Sequence, residues 1–356
     1  MKYYRKTALL LLLIALMLNI CGCRSKLSEP EKDIVTLNYK LEEDERLRPL
    51  YASETRIYAA VNKRKPPHMS APGFTATTEQ FIVYDLQSQK VVAKYDPGAN
   101  GTCIFNAVPF KKGILYAAYT PLGPDDSLDE SIKWDIKYIS DEGSKIIDSG
   151  RCSSMVDKLP EFTVLDGEVY YLYEDLDEDT GYGFGIKRAD LGGPEIVVEE
   201  KGRKLIETQF QSNGKDYAVL TDGKFLVGNA KGFYREYDLP KPMSDYGICR
   251  DYLFCCTESD GNRWTARSIS LKTGEEYTAE IEKPLFRIAS MGGDELTCID
   301  TNFDMYILRP GKEFEIVSLE NPKEIREGRD NVGYYPYGDT KTFAQLKDTK
   351  LCRIVW

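Results

Sequence analysis

Histidine is almost absent from this chain: one residue, His68, in 356. A Ser–His–Asp or Cys–His hydrolase would have to recruit it. It sits in Lys63-Arg64-Lys65-Pro66-Pro67-His68-Met69-Ser70-Ala71-Pro72-Gly73, whose prolines, glycine and cations read as a surface loop, one that would also suit an acidic partner. No Gly-x-Ser-x-Gly elbow occurs, so the sequence names no nucleophile. There is no Cys-x-x-Cys pair, and Cys255 and Cys256 on a strand would face opposite ways, which argues against a zinc site. The glycines of Gly181-Tyr182-Gly183-Phe184-Gly185 lead into Ile186-Lys187-Arg188, which reads as strand. A phosphate-cradling loop would need a helix N-terminus there. Beyond the N-terminus no segment of eleven or more residues carries an apolar stripe of period 3.6, which removes amphipathic helices and leaves an all-β chain.

Tyrosine and phenylalanine are plentiful, at 24 and 14, and favour strands. Acidic residues exceed basic ones, 57 against 47. Removing residues 1–22 takes away three of those 47 cations and no carboxylate, which makes the remainder about −13. Such a surface repels phosphate backbones and excludes nucleic acid as an expected partner. Nine cysteines are present. Seven of them (Cys103, Cys152, Cys249, Cys255, Cys256, Cys298 and Cys352) lie beyond residue 23 and cannot all pair within one chain. Most fall in expected strands and read as small core hydrophobes, with one or two disulfides as the alternative.

At the N-terminus Lys2, Arg5 and Lys6 precede an apolar run, Ala8 to Ile20, broken only by Asn19. That run is shorter than the roughly 20 residues of a membrane span and reads as a secretion signal over residues 1–22. Its end, Ile20-Cys21-Gly22-Cys23, resembles the lipobox of bacterial lipoproteins. The resemblance implies lipid attachment at Cys23, with Cys21 the poorer choice because bulky Ile20 would then adjoin the cleavage site. It also implies a palmitate-bearing anchor on the extracytoplasmic face of a bacterial membrane, with at least two acyl chains for firm attachment. Residues 23–49 then form a charged tether, interrupted by an apolar island at 34–39 that reads as a strand.

From residue 50 to 356 an aromatic or aliphatic run, a turn and two or three further strands recur. Ile57, Ile114, Val169, Tyr217, Leu253, Leu296 and Phe343 mark corresponding places, mostly 40 to 57 residues apart. Thr221-Asp222-Gly223 and Asn229-Ala230-Lys231 join three runs of the fourth unit as tight hairpins. The pattern resembles envelope β-propellers of the TolB-like and YVTN-like kind. It implies a single propeller, with seven blades of about four strands as the leading count and six or eight as alternatives. A pair of β-sandwiches is the other all-β arrangement. The circle has to close, and the 34–39 strand is expected to pair beside Leu351–Trp356.

Two acidic alternations suggest cations. Asp175, Asp177 and Asp179 are spaced as in calcium loops, but Thr180 stands where such loops need glycine and Ile186 where they need glutamate. A solvated hairpin tip and a weak calcium site are the two readings, and no other cofactor is indicated. Asp300-Thr301-Asn302-Phe303-Asp304 reads as a turn between strands. Tyr182, Tyr334, Tyr335 and Tyr337, near expected turns, suit either blade packing or stacking on a ligand. No residue is assigned a catalytic role. The expected function is therefore a non-catalytic, membrane-tethered propeller that binds a protein, peptide or envelope polymer. The alternative is a carboxylate-based lyase or glycosidase at the axial funnel.

Overall fold

The computed structural model describes residues 31–356 except 54, 65–75, 99–102, 120–130, 154–157, 176–180, 239–242, 260–262, 291–294, 303, 320–332, 338–340, 348 and 356. Residues 1–30, which include Ile20, Cys21, Gly22 and Cys23, together with His68, Asp177 and Asp179, lie outside the described residues.

The described residues form strands and no α-helix. The strands make seven four-stranded antiparallel sheets. In the first are β2 (Glu45–Ala52), β3 (Arg56–Arg64), β4 (Ala76–Asp85) and β5 (Lys90–Tyr95). The second holds β6 (Cys103–Phe110), β7 (Gly113–Tyr119), β8 (Ile132–Ser140) and β9 (Gly143–Cys152). Next come β10 (Glu161–Leu165), β11 (Glu168–Glu174), β12 (Gly183–Arg188) and β13 (Glu195–Lys201). The fourth is β14 (Gln211–Ser212), β15 (Asp216–Thr221), β16 (Lys224–Asn229) and β17 (Gly232–Asp238). The fifth is β18 (Met243–Cys249), β19 (Tyr252–Ser259), β20 (Arg263–Ser270) and β21 (Glu276–Ile281). The sixth is β22 (Leu285–Ser290), β23 (Leu296–Asp300), β24 (Met305–Arg309) and β25 (Glu315–Leu319). The closing sheet joins β26 (Gly333–Tyr337), β27 (Lys341–Lys347) and β28 (Lys350–Val355) to β1 (Glu31–Thr36).

Each sheet's first strand touches the first strand of the next, and β26 touches β2, so the seven first strands form a closed ring. The fold is a β-propeller. Its core lies between the sheets. One apolar layer joins Val108, Leu115 and Trp134 to Val169 and Tyr171, and another joins Phe184 and Ile186 to Tyr217 and Leu226. Second strands are sandwiched on both faces and read as continuous apolar runs, as in Tyr217–Thr221, buried throughout. All seven sequence markers fall on second strands. Fourth strands meet solvent, and β5 alternates exposed with half-buried positions. Burying an aromatic such as Tyr217 or Phe225 fully contributes roughly 2–3 kcal/mol each.

Aromatics lie over cross-strand glycines in three consecutive sheets. Trp134 opposes Gly150, Tyr173 opposes Gly185 and Tyr217 opposes Gly228. A Cβ at Gly228 would sit 2.5 Å from the Tyr217 ring and 2.8 Å from the Gly232 carbonyl, so only glycine lets that ring lie flat on the sheet. The outer pairs of the first four sheets each carry a register shift, at Val83/Tyr84, Ile136/Lys137, Ile186/Lys187 and Val227/Gly228. Bulges of this kind twist the exposed edge and discourage pairing with another chain.

The closing strand differs from the expected one. Pairing runs over Glu31–Thr36, with Ile34 opposite Cys352, three residues earlier than the apolar island. The Leu37 N–H still donates to the Thr349 carbonyl at 2.9 Å, but its side chain turns onto the first sheet. It is buried with Leu47, Ile57 and Tyr84, and the Asn38 N–H donates to the Tyr84 hydroxyl at 3.1 Å. The island therefore ends the closing sheet and seals it onto the first.

Cys103, Cys152, Cys249, Cys255, Cys256 and Cys298 are buried free thiols. Cys255 and Cys256 pack into different inter-sheet layers, as opposite strand faces require. Burial pushes the Cys255 thiol up to about 12, so it is inert toward oxidants at neutral pH.

Candidate functional site

The first strands line the centre of the ring, and five of them carry a polar side chain in or just before the strand. They exchange no backbone ladder with one another, so their buried edge groups need other partners. Side chains supply them. Arg48 Nη1 donates to the Ile104 carbonyl at 3.5 Å, and Asn106 Nδ2 to the Pro160 carbonyl at 3.1 Å. Glu161 Oε2 accepts the Phe210 N–H at 3.0 Å, and Thr208 Oγ1 donates to the Leu159 carbonyl at 2.6 Å. Gln209 Nε2 reaches the Tyr246 and Ile288 carbonyls at 3.4 and 3.2 Å. Asp245 accepts the Tyr246 N–H at 2.7 Å and the Ile288 N–H at 3.0 Å. Each of the first five sheets is thus stitched to a neighbour by a polar side chain in or just before its inner strand.

Glu161 lies within electrostatic reach of Glu207 and Asp245. Burial pushes the Glu161 carboxyl up to about 8, against the pull of the Phe210 N–H, and the nearby Glu207 and Asp245 charges push it further in the same direction. Burial holds the Tyr246 phenol in its neutral form, and Glu207, Glu161 and Asp245 add to that effect. Glu161 therefore holds its proton to higher pH than an ordinary carboxyl. Such a group can donate a proton to a bound ligand, as a general acid does.

Nothing local in the sequence marks these residues, and they were not among the expected site residues. A weak signal exists in register. Asn106, Glu161, Gln209 and Asp245 each stand eight residues before a second-strand marker: Ile114, Val169, Tyr217 and Leu253.

The expected candidates lie elsewhere. Asp175 is exposed at the end of the β11–β12 hairpin, where its N–H donates to the Gly183 carbonyl at 2.9 Å. Among the described residues no group of three His, Cys, Asp or Glu side chains is placed to hold a metal ion. Tyr182 is exposed at the same hairpin, with the Lys204 ammonium 5.4 Å from its ring. Tyr334, Tyr335 and Tyr337 are not at a turn but within β26, the inner strand of the closing sheet.

No family model matches the chain, and no curated protein matches it in sequence. Among solved structures it is similar to a chain of a mitotic checkpoint complex, with a TM-score of 0.50 and 8% identity over 92% of this chain and 94% of that one. It is also similar to BamB from Moraxella catarrhalis (TM-score 0.48, 11% identity, 91% and 98% covered). The WD40 β-propeller domain of Doa1 gives a TM-score of 0.48 at 10% identity, with 91% and 97% covered. At these identities the likeness is one of fold.

Proposed function

We propose that this protein is a binding propeller of the bacterial envelope, its seven sheets serving as seven blades, held to the membrane by lipid at Cys23. It would present its loops to a protein, peptide or envelope polymer. The observation that carries the reading is the use made of the central polar residues. Arg48, Asn106, Glu161, Gln209 and Asp245 hold adjacent blades together, so the ring is first a rigid frame. Rigid frames suit recognition by surrounding loops. The test is capture from a detergent extract of native envelope with the full-length chain as bait. One partner enriched to near-stoichiometric level is expected, and a chain bearing Cys23→Ala should lose metabolic palmitate labelling while Cys21→Ala keeps it. Label surviving at Cys23→Ala would end the anchoring part of the reading.

Glu161 favours one second reading. A neutral carboxyl beside Glu207 and Asp245 is the arrangement a carboxylate-based lyase or glycosidase would use. That reading requires turnover of an envelope polymer, lost on Glu161→Gln.

A further inference from the structure

A second concave site lies far from the ring, where the segment after β1 crosses the outer edge of the first sheet. It is an open cavity of about 430 Å3 whose lining includes Asn38, Tyr39, Lys40, Gln89, Lys90 and Lys94. Three ammonium groups around one cavity are unexpected in a chain with ten more acidic than basic residues. Several lysines elsewhere are paired with a carboxylate, as in Lys187–Asp148 at 2.8 Å, Lys224–Glu236 at 2.9 Å and Lys63–Asp44 at 3.3 Å. Among the described residues no carboxylate makes such a pair with Lys40, Lys90 or Lys94.

Two acids on neighbouring turns are held by local hydrogen bonds. Glu45, near enough to raise the Tyr39 phenol's pKa, accepts the Glu42 N–H at 2.9 Å. Asp85, at the foot of the turn leading to Gln89, accepts the Ser88 N–H and hydroxyl, both at 2.7 Å. The cavity wall is also ordered. The Tyr39 hydroxyl donates to Gln80 Oε1 at 3.1 Å, which fixes its ring, and the Lys94 ammonium stands 5.4 Å from that ring's centre.

We propose that this cavity binds a phosphate group carried on a small polar body, such as a glycerol or sugar. Lysines act as point charges toward phosphate, and three of them line the cavity. Three cations exceed the charge of a phosphate monoester, which carries about −1.5 to −2 at pH 7. The amides of Asn38 and Gln89 supply donors for hydroxyl or ester oxygens. The phosphate could come from a lipid headgroup or from a soluble glycerol or sugar phosphate. The headgroup source rests on the anchoring reading, since Asn38 follows Cys23 by 15 residues, a reach of at most about 50 Å.

Calorimetric titration of the full chain in non-ionic detergent tests this with glycerol 3-phosphate, short-chain phosphatidylglycerol and short-chain phosphatidylcholine. Saturable binding at one site is expected, weakened roughly tenfold or more by the Lys90→Gln/Lys94→Gln double variant. Lys272→Gln, at an ion pair remote from the cavity, should leave it unchanged. Stronger binding of phosphatidylglycerol than of glycerol 3-phosphate or phosphatidylcholine assigns the headgroup source. Stronger binding of glycerol 3-phosphate assigns the soluble one. No saturable binding below about 10 mM overturns the proposal. So does binding that the double variant leaves intact while its unfolding transition matches the parent's. Phosphate binding together with absent label at Cys23 would keep the pocket and remove the anchor.

Discussion

Asp300→Ala is expected to destabilise the protein by about 3–5 kcal/mol in urea unfolding at pH 7, among the largest effects available to a single polar substitution. Asp300 ends β23, and its side chain is 1% exposed. One carboxylate oxygen accepts the Asn302 N–H at 2.7 Å and the Asp304 N–H at 3.0 Å, closing the turn into β24. The other accepts the Lys283 ammonium at 2.8 Å and the Tyr306 hydroxyl at 3.2 Å. Alanine removes all four bonds, two of them to the amides of a turn in which Asn302 is exposed and Asp304 half-buried. Lys283 is 39% exposed and can recover water, which places the loss toward the lower end of the range. Burial alone would raise this carboxyl's pKa, but Lys283 and the two amides outweigh it and hold it below 3.8. A lowered acid stabilises the fold above its unfolded pKa and stops doing so as pH falls through the folded one. The difference between parent and variant should therefore be constant from pH 5 to 7 and shrink below about pH 4. A loss under about 1 kcal/mol at pH 7 would show that the turn holds without its carboxylate.

Asp300 also shows how far local patterns reach. The alternation Asp300-Thr301-Asn302-Phe303-Asp304 was readable as a turn because the residues that close it lie within four positions. Lys283 was not readable as its partner, because only the sheet brings β22's approach beside β23. The same division runs through the fold. Second strands such as Tyr217–Thr221 were legible because both faces are buried, so apolar side chains follow one another without a break. Outer strands such as β5 were legible by alternation. Inner strands were not, since β14 spans two residues and its neighbours are polar because they stitch adjacent blades. The closing strand was misplaced by three residues for a related reason. Hydrophobicity at Leu37 reports burial against the first sheet, whereas pairing at Glu31–Thr36 is set by β28. Glu161, Glu207 and Asp245 lay one blade period apart and carried no common motif. Their meeting is a property of ring closure, and the sequence shows only that Glu161 and Asp245, like Asn106 and Gln209, stand eight residues before a second-strand marker.

Glu161→Gln is expected to leave stability nearly unchanged at pH 5 and to raise it at pH 9, by up to about 4 kcal/mol relative to the parent. Glutamine keeps an oxygen for the Phe210 N–H, the bond that joins the third sheet to the fourth, and removes only the ability to ionise. In the parent, burial chiefly, with Glu207 and Asp245 adding to it, raises the carboxyl from 4.5 to about 8. Between those values the folded protein keeps a proton that the unfolded chain has released. The stabilisation belonging to this group is complete below pH 4.5, declines through the window and is gone above pH 8. Urea midpoints of parent and variant at pH 5, 7 and 9 isolate the effect from the repulsion among the remaining acids, which both chains share. Parallel curves would mean that Glu161 is already charged when folded, held by a cation or water that compensates Glu207 and Asp245. Diverging curves would establish an acid that holds its proton at neutral pH in the centre of the ring. The same two proteins then separate the readings of function. A binding propeller keeps its partner in the variant, because the frame is intact. A carboxylate enzyme loses turnover, because the proton it would donate is the one that glutamine no longer carries.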